Sequence, residues 1–502
     1  MDATKKSLHY STYLSNVLKS LKSNIFPIGL GLFFIIKDGF TKQALLDNGF
    51  ALLILLFTIL SALFSMIEAK ITKYWIEEDK LMLQKGLINR TIKEIYIGKI
   101  QTMDTSAGIA NQLLGGVIMH VKTAGDGIEL NSISKHDAAR LTEYINQRKY
   151  ELNGQQIVED VETSDVDQLP NQVSTPYETI YQLSTKDLLM MSATSASMFT
   201  VFAIVYAIYS QVDDIFHLDR YMGPLEQTVG QSYILIAFVI ASALFMSYII
   251  GIFVTAIKYY QYTVYFNGEL LNIKYGLFER KNKFIAIKNI QRVTERQSYL
   301  RKLLYKTSFA VTTTSEMKAS EDSILGDEEV LPFISRDEAY RVIQRLVPDY
   351  NFTDVNHVIP KRSIRRYFQI SWVIFIIAGG IIQYFWFDKA WLFVIILMIL
   401  TFITAYIKYR NSGYIIVDDQ VNIRNGGAFV METSFVKERN IIGLNVSSTP
   451  FMNKANLRNA VLDISSGSSN ASCRLDYIEL EDAAQIYDWF LLKERYQYEK
   501  NA

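Results

Sequence analysis

The stretch YWIEEDKLMLQKGLINRTIKEIYIGKIQ, residues 74–101, decides the fold because it has the pattern of strands joined by tight turns. Apolar and polar residues alternate on both sides of Gly86, which is the period of a half-buried β-strand. The alternation returns at residues 117–121, and after Ser134 apolar residues are three and four apart, as in an amphipathic helix. Residues 74–148 are therefore predicted to form several strands followed by one helix.

This unit is repeated along the chain. Five residues of the first copy recur at a constant offset of 190 residues, which a chance match of isolated residues would not keep. They are Gly86, Ile100, Gln101, Leu113 and Leu114, which correspond to Gly276, Ile290, Gln291, Leu303 and Leu304. A more divergent third copy has Gly427 and Ile441 a further 151 residues along, with Ile442 in place of the glutamine. We predict that Gly86, Gln101, Gly276, Gln291 and Gly427 have structural roles in the repeat.

Each copy ends in a segment with helical periodicity, so each copy is predicted to be a small α+β domain whose helix covers one face of an antiparallel sheet. The predicted helices are residues 134–145, 335–346 and 482–491. The predicted domains are residues 73–150, 259–350 and 409–502.

Pairs of apolar runs separate the copies, and most are long enough to cross a bilayer. The runs are residues 25–36, 50–67, 188–209, 233–257, 368–387 and 390–407. The first run is short and lacks a small-residue cleavage site, so we interpret it as a retained, tilted or re-entrant segment. The sequence predicts about six spans in three hairpins, within residues 1–72, 186–258 and 351–408, and a flexible acidic linker at residues 151–185.

The distribution of Lys and Arg predicts the orientation. Near the ends of the apolar runs, most of these residues lie on the side of the repeats and few lie in the hairpin loops. Loops rich in Lys and Arg stay cytoplasmic, so all three repeats are predicted to be cytoplasmic domains of a multi-pass plasma-membrane protein. If residues 25–36 do not cross, the N-terminus lies outside while the repeats remain inside.

Composition argues against several classes of function. Lys+Arg and Asp+Glu are equal at 51 each, so no overall charge points to nucleic acid. The single cysteine, Cys473, excludes a multi-thiolate metal site within one chain, and the five histidines show no ligand spacing. There is no glycine-rich phosphate loop. We therefore expect no enzyme activity, no catalytic residue, no metal and no cofactor.

A transporter or exporter component, with a binding site between the helices, is the main alternative function. None of the apolar runs has an ionisable residue in its interior, although such residues are the usual mark of ion coupling. The best polar candidates in the runs are Gln383 and a cluster that begins at Ser192. Small residues at helical spacing in the third run more often indicate close helix packing.

Four basic residues precede the fifth apolar run and form the candidate lipid-contact site, namely Lys361, Arg362, Arg365 and Arg366. One interpretation is a topology signal at the cytoplasmic face. The other is an electrostatic contact with anionic head groups, to which each charge contributes about 1 kcal/mol. The two interpretations are compatible.

The whole chain resembles the YdbT-like bacterial membrane proteins, in which hairpins alternate with pleckstrin-homology-like (PH-like) domains. The resemblance rests on Ile76-Glu77-Glu78-Asp79 before Gly86-Leu87-Ile88, on the two Ile-Gln steps at residues 100 and 290, and on the Leu-Leu steps at residues 113 and 303. It implies a strongly bent antiparallel sheet capped by a C-terminal helix, and it provides no catalytic residues. It also suggests a role in envelope protection or in tolerance of membrane-active antimicrobial peptides.

The expected function is therefore that of a non-enzymatic scaffold whose cytoplasmic PH-like domains bind membrane lipids or proteins. A protein partner, such as a smaller membrane protein with the same domain, and a homo-oligomer both remain open.

Overall fold

A computed structural model provides the structure of the chain. It describes residues 5–24, 28, 49–87, 89–124, 127–152, 177–195, 201–203, 233–314, 327–385, 390–466 and 471–501. The predicted apolar run at residues 25–36, apart from Ile28, and most of the predicted linker at residues 151–185 lie outside these ranges.

Among the described residues, the first repeat follows a short strand and two helices. The repeat itself consists of three strands, a 3₁₀ turn, a fourth strand, a short helix, two more strands and a terminal helix. The elements are β1 (Lys6–Ser7), α1 (Ser11–Ser23), α2 (Gly49–Ile71), β2 (Lys73–Glu77), β3 (Lys80–Lys85), β4 (Thr91–Tyr96), β5 (Thr102–Ala107), α3 (Ile109–Leu114), β6 (Gly116–Lys122), β7 (Gly127–Ser134) and α4 (Lys135–Leu152).

The second repeat has the same order and is also preceded by a strand and helices. Its elements are β8 (Glu178–Gln182), α5 (Thr185–Ala193), α6 (Tyr233–Lys258), β9 (Thr263–Phe266), β10 (Leu270–Tyr275), β11 (Arg280–Ala286), β12 (Ile290–Ser298), α7 (Tyr299–Leu303), β13 (Lys306–Thr313), β14 (Asp327–Ser335) and α8 (Arg336–Leu346).

The third repeat follows two antiparallel helices. Its elements are α9 (Ile364–Phe385), α10 (Ala390–Asn411), β15 (Gly413–Val417), β16 (Gln420–Gly426), β17 (Val430–Lys437), β18 (Ile441–Ser447), α11 (Pro450–Asn453), β19 (Leu457–Ile464), β20 (Ala471–Glu479) and α12 (Leu480–Asn501).

The predicted repetition of sheet domains is confirmed. In each repeat a single 3₁₀ turn separates the first three strands from the last three, at residues 97–99, 287–289 and 438–440. Ile100, Ile290 and Ile441 follow these turns directly and are buried. The shared isoleucine therefore marks the point where the chain passes from one sheet to the next.

The sheets do not coincide with the repeats. The last three strands of the first repeat and the first three of the second form one seven-stranded sheet, in the order β7-β6-β5-β11-β10-β9-β8. The corresponding strands of the second and third repeats form a six-stranded sheet, in the order β14-β13-β12-β17-β16-β15. The chain accordingly divides into two compact units, and the division within the second repeat falls between Ala286 and Ile287.

The two joints between repeats use the same register. In the seven-stranded sheet Asn282 of β11 lies opposite Thr105 of β5. In the six-stranded sheet Thr433 of β17 lies opposite Glu295 of β12. The repeat offsets of 190 and 151 residues convert the first pair into the second. The joint is therefore a repeated structural feature.

Strand pairs also hold together the two ends of each predicted hairpin. Ser7, which precedes the first predicted hairpin, pairs with Lys73, which follows it. Gln182 and Thr263 pair in the same way on either side of the second. An isolated bridge joins His357 to Gly413 around the third. Backbone segments that flank each predicted hairpin are therefore adjacent.

The terminal helices bury apolar residues in all three repeats. Ala138, Leu141 and Ile145 of α4 are buried in the core of the first repeat. In the second repeat Ala339, Ile343 and Leu346 of α8 are buried in the same way. In α12, Ala483 and Ile486 are buried, whereas Tyr487 is exposed.

Three helices of the described chain are long and apolar enough to cross a membrane, namely residues Ala241–Lys258, Lys361–Phe385 and Ala390–Asn411. The structure therefore accounts for three of the six predicted spans. Residues 196–200 and 204–209 of the predicted run at residues 188–209 lie outside the described residues; at the start of the run, α5 ends at Ala193 and packs against β14. Leu188 and Met191 are buried there, and Lys306 pairs with Asp187 at 2.9 Å.

Gly86 and Gly276 occupy equivalent turns with left-handed backbone, at φ of 100° and 102°. A Cβ at Gly86 would lie 2.1 Å from the carbonyl oxygen of Asn89, and one at Gly276 would lie 2.1 Å from that of Glu279. Gly427 turns the chain at the corresponding place without a left-handed φ. Only glycine fits the first two turns without strain.

Replacement of Gly276 by Ala should lower the free energy of unfolding by at least about 1 kcal/mol, because the residue must adopt a strained φ and its Cβ meets a backbone oxygen. The midpoint of thermal unfolding in detergent measures this loss. Gly108→Ala is the matched control, since a Cβ there meets nothing within 4 Å and φ is −69°. An equal shift for both variants would contradict the assigned role of the turn.

Candidate membrane-contact site

The turn after β10 is tied to the end of a membrane-length helix. The backbone N–H of Leu277 donates to the carbonyl oxygen of Ile257 at 3.2 Å, in the last turn of α6. The N–H of Gly276 donates to the carbonyl oxygen of Tyr260 at 2.9 Å. The next side chain, Phe278, is exposed. Phe278 therefore lies beside the end of a helix that is long and apolar enough to cross a membrane.

A short helix of the preceding repeat lies beside this turn. The side-chain amide of Gln112 in α3 donates to the carbonyl oxygens of Leu277 and Phe278 at 3.3 and 3.0 Å. Leu113 of the same helix is 79% exposed, and Ile109 is also exposed. Helix and turn therefore form one apolar surface next to the end of the span.

The six-stranded sheet has an equivalent surface. The N–H of Gly426 donates to the Ser412 hydroxyl at 3.0 Å, immediately after α10. The N–H of Tyr299, at the start of α7, donates to the carbonyl oxygen of Phe429 at 3.3 Å. Phe429 is exposed, and Leu303 of α7 is 77% exposed.

The Tyr299 side chain fastens this second joint. Its hydroxyl donates to the carbonyl oxygen of Gly427 at 2.9 Å. Burial raises the pKa of this hydroxyl above its ordinary value, although a hydrogen bond with Asn411 lowers it. The hydroxyl therefore remains protonated and able to donate at neutral pH.

In the third repeat the short helix lies beside the basic residues that the sequence singled out. Phe451 of α11 is exposed, and its carbonyl oxygen accepts a hydrogen bond from Arg366 at 2.9 Å. Arg366 lies in the first turn of α9. The exposed apolar side chain of the short helix, here called the apolar tip, is therefore adjacent to the basic segment at the start of α9.

The four basic side chains have different surroundings. Arg362 forms an ion pair with Glu479 at 3.0 Å, and Arg366 is held by α11. Within the described part of the chain, Arg365 donates only to Gln369, one helical turn along, at 3.3 Å. Lys361 is exposed and has no partner among the described residues. Two of the four therefore bind the third repeat, and two remain available to head groups.

Gln101 and Gln291 each lie directly after the isoleucine that follows the 3₁₀ turn. The N–H of Gln101 donates to the carbonyl oxygen of Lys122 at 2.8 Å. The carbonyl oxygen of Gln291 accepts from the Asn440 side chain at 2.8 Å. Backbone groups make both contacts, which is consistent with the appearance of Ile442 at the third position.

Sequence reasoning missed the exposed short helices. In the sequence, the Leu-Leu pairs that begin at residues 113 and 303 indicate only the repeat. The structure shows that the Leu113 and Leu303 side chains are exposed. Within the described residues no group of three His, Cys, Asp or Glu side chains could hold a metal ion. The repeated surface next to the spans is therefore the strongest candidate site.

A fluorophore at Leu113 or Leu303 should report contact with lipid. Single cysteines at these positions, in a Cys473→Ser background and labelled with an environment-sensitive dye, should give blue-shifted emission that shallow spin-labelled lipids quench. Glu269→Cys is the control, because this exposed residue lies at the opposite end of β10 from Leu277. Similar quenching at all three positions, or none at 113 and 303, would refute the contact.

Comparison with known proteins agrees with this architecture. The family model described as "Bacterial PH domain" matches three segments, residues 25–149, 215–348 and 370–494. The chain is also 24% identical over 512 residues to the UPF0699 transmembrane protein YdbT of Bacillus subtilis (strain 168), with 100% of this chain and 99% of that protein covered. The three segments together make up well over half of the sequence. The chain therefore belongs to the bacterial PH domain family, as a YdbT-like membrane protein with three copies of the domain.

Proposed function

We propose that the chain is a non-enzymatic membrane scaffold whose PH-like domains lie on the cytoplasmic face and contact lipid through the short helices and the adjacent turns. The observation that carries the proposal is the repeated attachment of an exposed apolar tip to the end of a span. Full burial of one leucine side chain stabilises by about 1.5–3 kcal/mol, so several partly inserted tips can hold a domain against the bilayer.

The strand pairs at the hairpin ends support three two-span hairpins. A chain that leaves a sheet and returns to the adjacent strand ends on the side where it started, so it makes an even number of crossings between. The ion pair between Lys6 and Asp137, at 2.7 Å, joins the N-terminal segment to the first repeat. It argues against the alternative in which the N-terminus and the repeats lie on opposite sides.

The excess of Lys and Arg on the repeat side supports the cytoplasmic orientation. We propose that the domains predicted from the sequence, residues 73–150, 259–350 and 409–502, are the repeated units, although two of the sheets combine strands from neighbouring units. By family resemblance, the process served is envelope protection, including tolerance of membrane-active peptides.

Transport is the less favoured alternative. The Gln383 side-chain oxygen accepts from the N–H of Ala390 at 3.1 Å. The Trp372 indole N–H donates to the Thr401 hydroxyl at 3.1 Å. Ser192 donates to the carbonyl oxygen of Leu188 at 2.8 Å. These polar groups satisfy contacts within the helices, so they offer less to a transported solute.

The double variant Lys361→Gln/Arg365→Gln should reduce the stabilisation that anionic vesicles give the protein relative to zwitterionic ones. Each lost charge is worth on the order of 1 kcal/mol near an anionic surface, and salt screens it. Thermal unfolding in vesicles with and without phosphatidylglycerol measures the difference. Sensitivity to a membrane-active peptide provides a second readout.

The matched control is Arg362→Gln/Arg366→Gln, which removes the same charge. These arginines bind Glu479 and the Phe451 carbonyl, so their loss should lower stability by about 1 kcal/mol per contact in either lipid. Equal behaviour of the two double variants in both lipids would contradict a specific lipid contact at Lys361 and Arg365.

A further inference from the structure

Two strands have an open edge at a position where the equivalent strands are paired. β4 is the edge strand of a four-stranded sheet, although its equivalents β11 and β17 each pair with a strand of the preceding repeat. β18 is the edge strand of a three-stranded sheet, although its equivalents β5 and β12 each pair with a strand of the following repeat. Among the described residues, one third-strand edge, that of β4, and one fourth-strand edge, that of β18, are thus unpaired.

The edge of β18 has the character of an interface, and both edges carry an exposed apolar side chain. β18, of sequence IIGLNVS, contains neither a charge nor a proline, which are the usual devices that protect an open edge. Ile92 of β4 is 56% exposed and Val446 of β18 is 36% exposed. At the equivalent position of the joint in the six-stranded sheet, Thr433 and Glu295 are only 4% and 3% exposed, and Asn282 and Thr105 of the other joint are half-buried.

The register of the inner joints predicts how the open edges match. The repeat offsets place Ile92 at the position of Asn282 and Thr433, and Val446 at the position of Thr105 and Glu295. The bulge near Ile290 recurs near Ile441, so the 151-residue offset holds through β18. Lys93 and Glu94 would meet no like charge, since β18 is uncharged. The two exposed apolar side chains would lie directly opposite each other.

We propose that β4 of one copy of the chain pairs antiparallel with β18 of a second copy, with Ile92 opposite Val446. The contact reproduces between molecules the joint that the chain makes twice within itself. The contact is heterologous, because it joins two different surfaces. The copy that uses its β4 keeps a free β18 edge, and the copy that uses its β18 keeps a free β4 edge, so association continues into rows or closed rings. The partner is a second copy because this chain supplies both complementary edges.

Disulfide crosslinking of the full-length protein in native membranes tests the register. Two differently tagged Cys473→Ser copies, one with Ile92→Cys and the other with Val446→Cys, should give a mixed-tag dimer on mild oxidation. Opposite residues in antiparallel strands have Cβ atoms close enough for such a bond. Asn445→Cys replaces Val446→Cys in the control, since this exposed neighbour points to the other face of the strand.

Charge variants provide a second measurement that needs no new cysteine. Ile92→Lys/Val446→Lys should weaken self-association in detergent at least about tenfold, whereas Ile92→Lys/Val446→Glu should stay within a few-fold of wild type. Both variants carry the same number of polar substitutions, so a folding defect alone would affect both.

Three results would overturn the proposal: no 92–446 dimer in folded protein, equal dimer yield at 445 and 446, or indistinguishable charge variants. A crosslink from Val446→Cys to a chain of different mass would assign the edge to another protein and would likewise overturn it.

Discussion

Backbone pairing between neighbouring repeats is the constraint on which the rest of this structure depends. A strand edge leaves a row of N–H and C=O groups that must pair, and here the third strand of one repeat pairs with the fourth strand of the repeat before it. The second repeat therefore contributes to two different sheets. Each repeat is fixed in register by its neighbour as well as by its own core.

The same joints organise the protein at the membrane. Each inner joint brings a short exposed helix of one repeat against a turn of the next, and that turn is bonded to the end of a span. Backbone pairing also holds the two ends of each predicted hairpin side by side, through strand pairs in the first two and an isolated bridge in the third. Repeat packing and the ends of the apolar helices thus meet at a few turns.

Local patterns predicted the local features. Strand alternation, the glycine turns and the buried stripes of α4 and α8 all follow from residues close together in sequence. Sharing of sheets was not predictable in this way, because a strand's own pattern does not specify which edge it pairs with. The packing of Leu188 and Met191, at the start of the run at residues 188–209, likewise depends on a distant segment, β14. The partners of Arg362 and Arg366 likewise come from distant segments.

The most direct test of the shared sheet is an intramolecular disulfide between paired strands of different repeats. Thr105 and Asn282 lie directly opposite each other in β5 and β11, so Thr105→Cys/Asn282→Cys in a Cys473→Ser background should form an internal bond on mild oxidation. The account predicts that the bond forms within one chain, so that the oxidised protein runs as a single chain on a non-reducing denaturing gel, and peptide mass after proteolysis identifies the linked residues. Failure of the bond to form in folded protein, or its formation only between separate chains, would contradict the account.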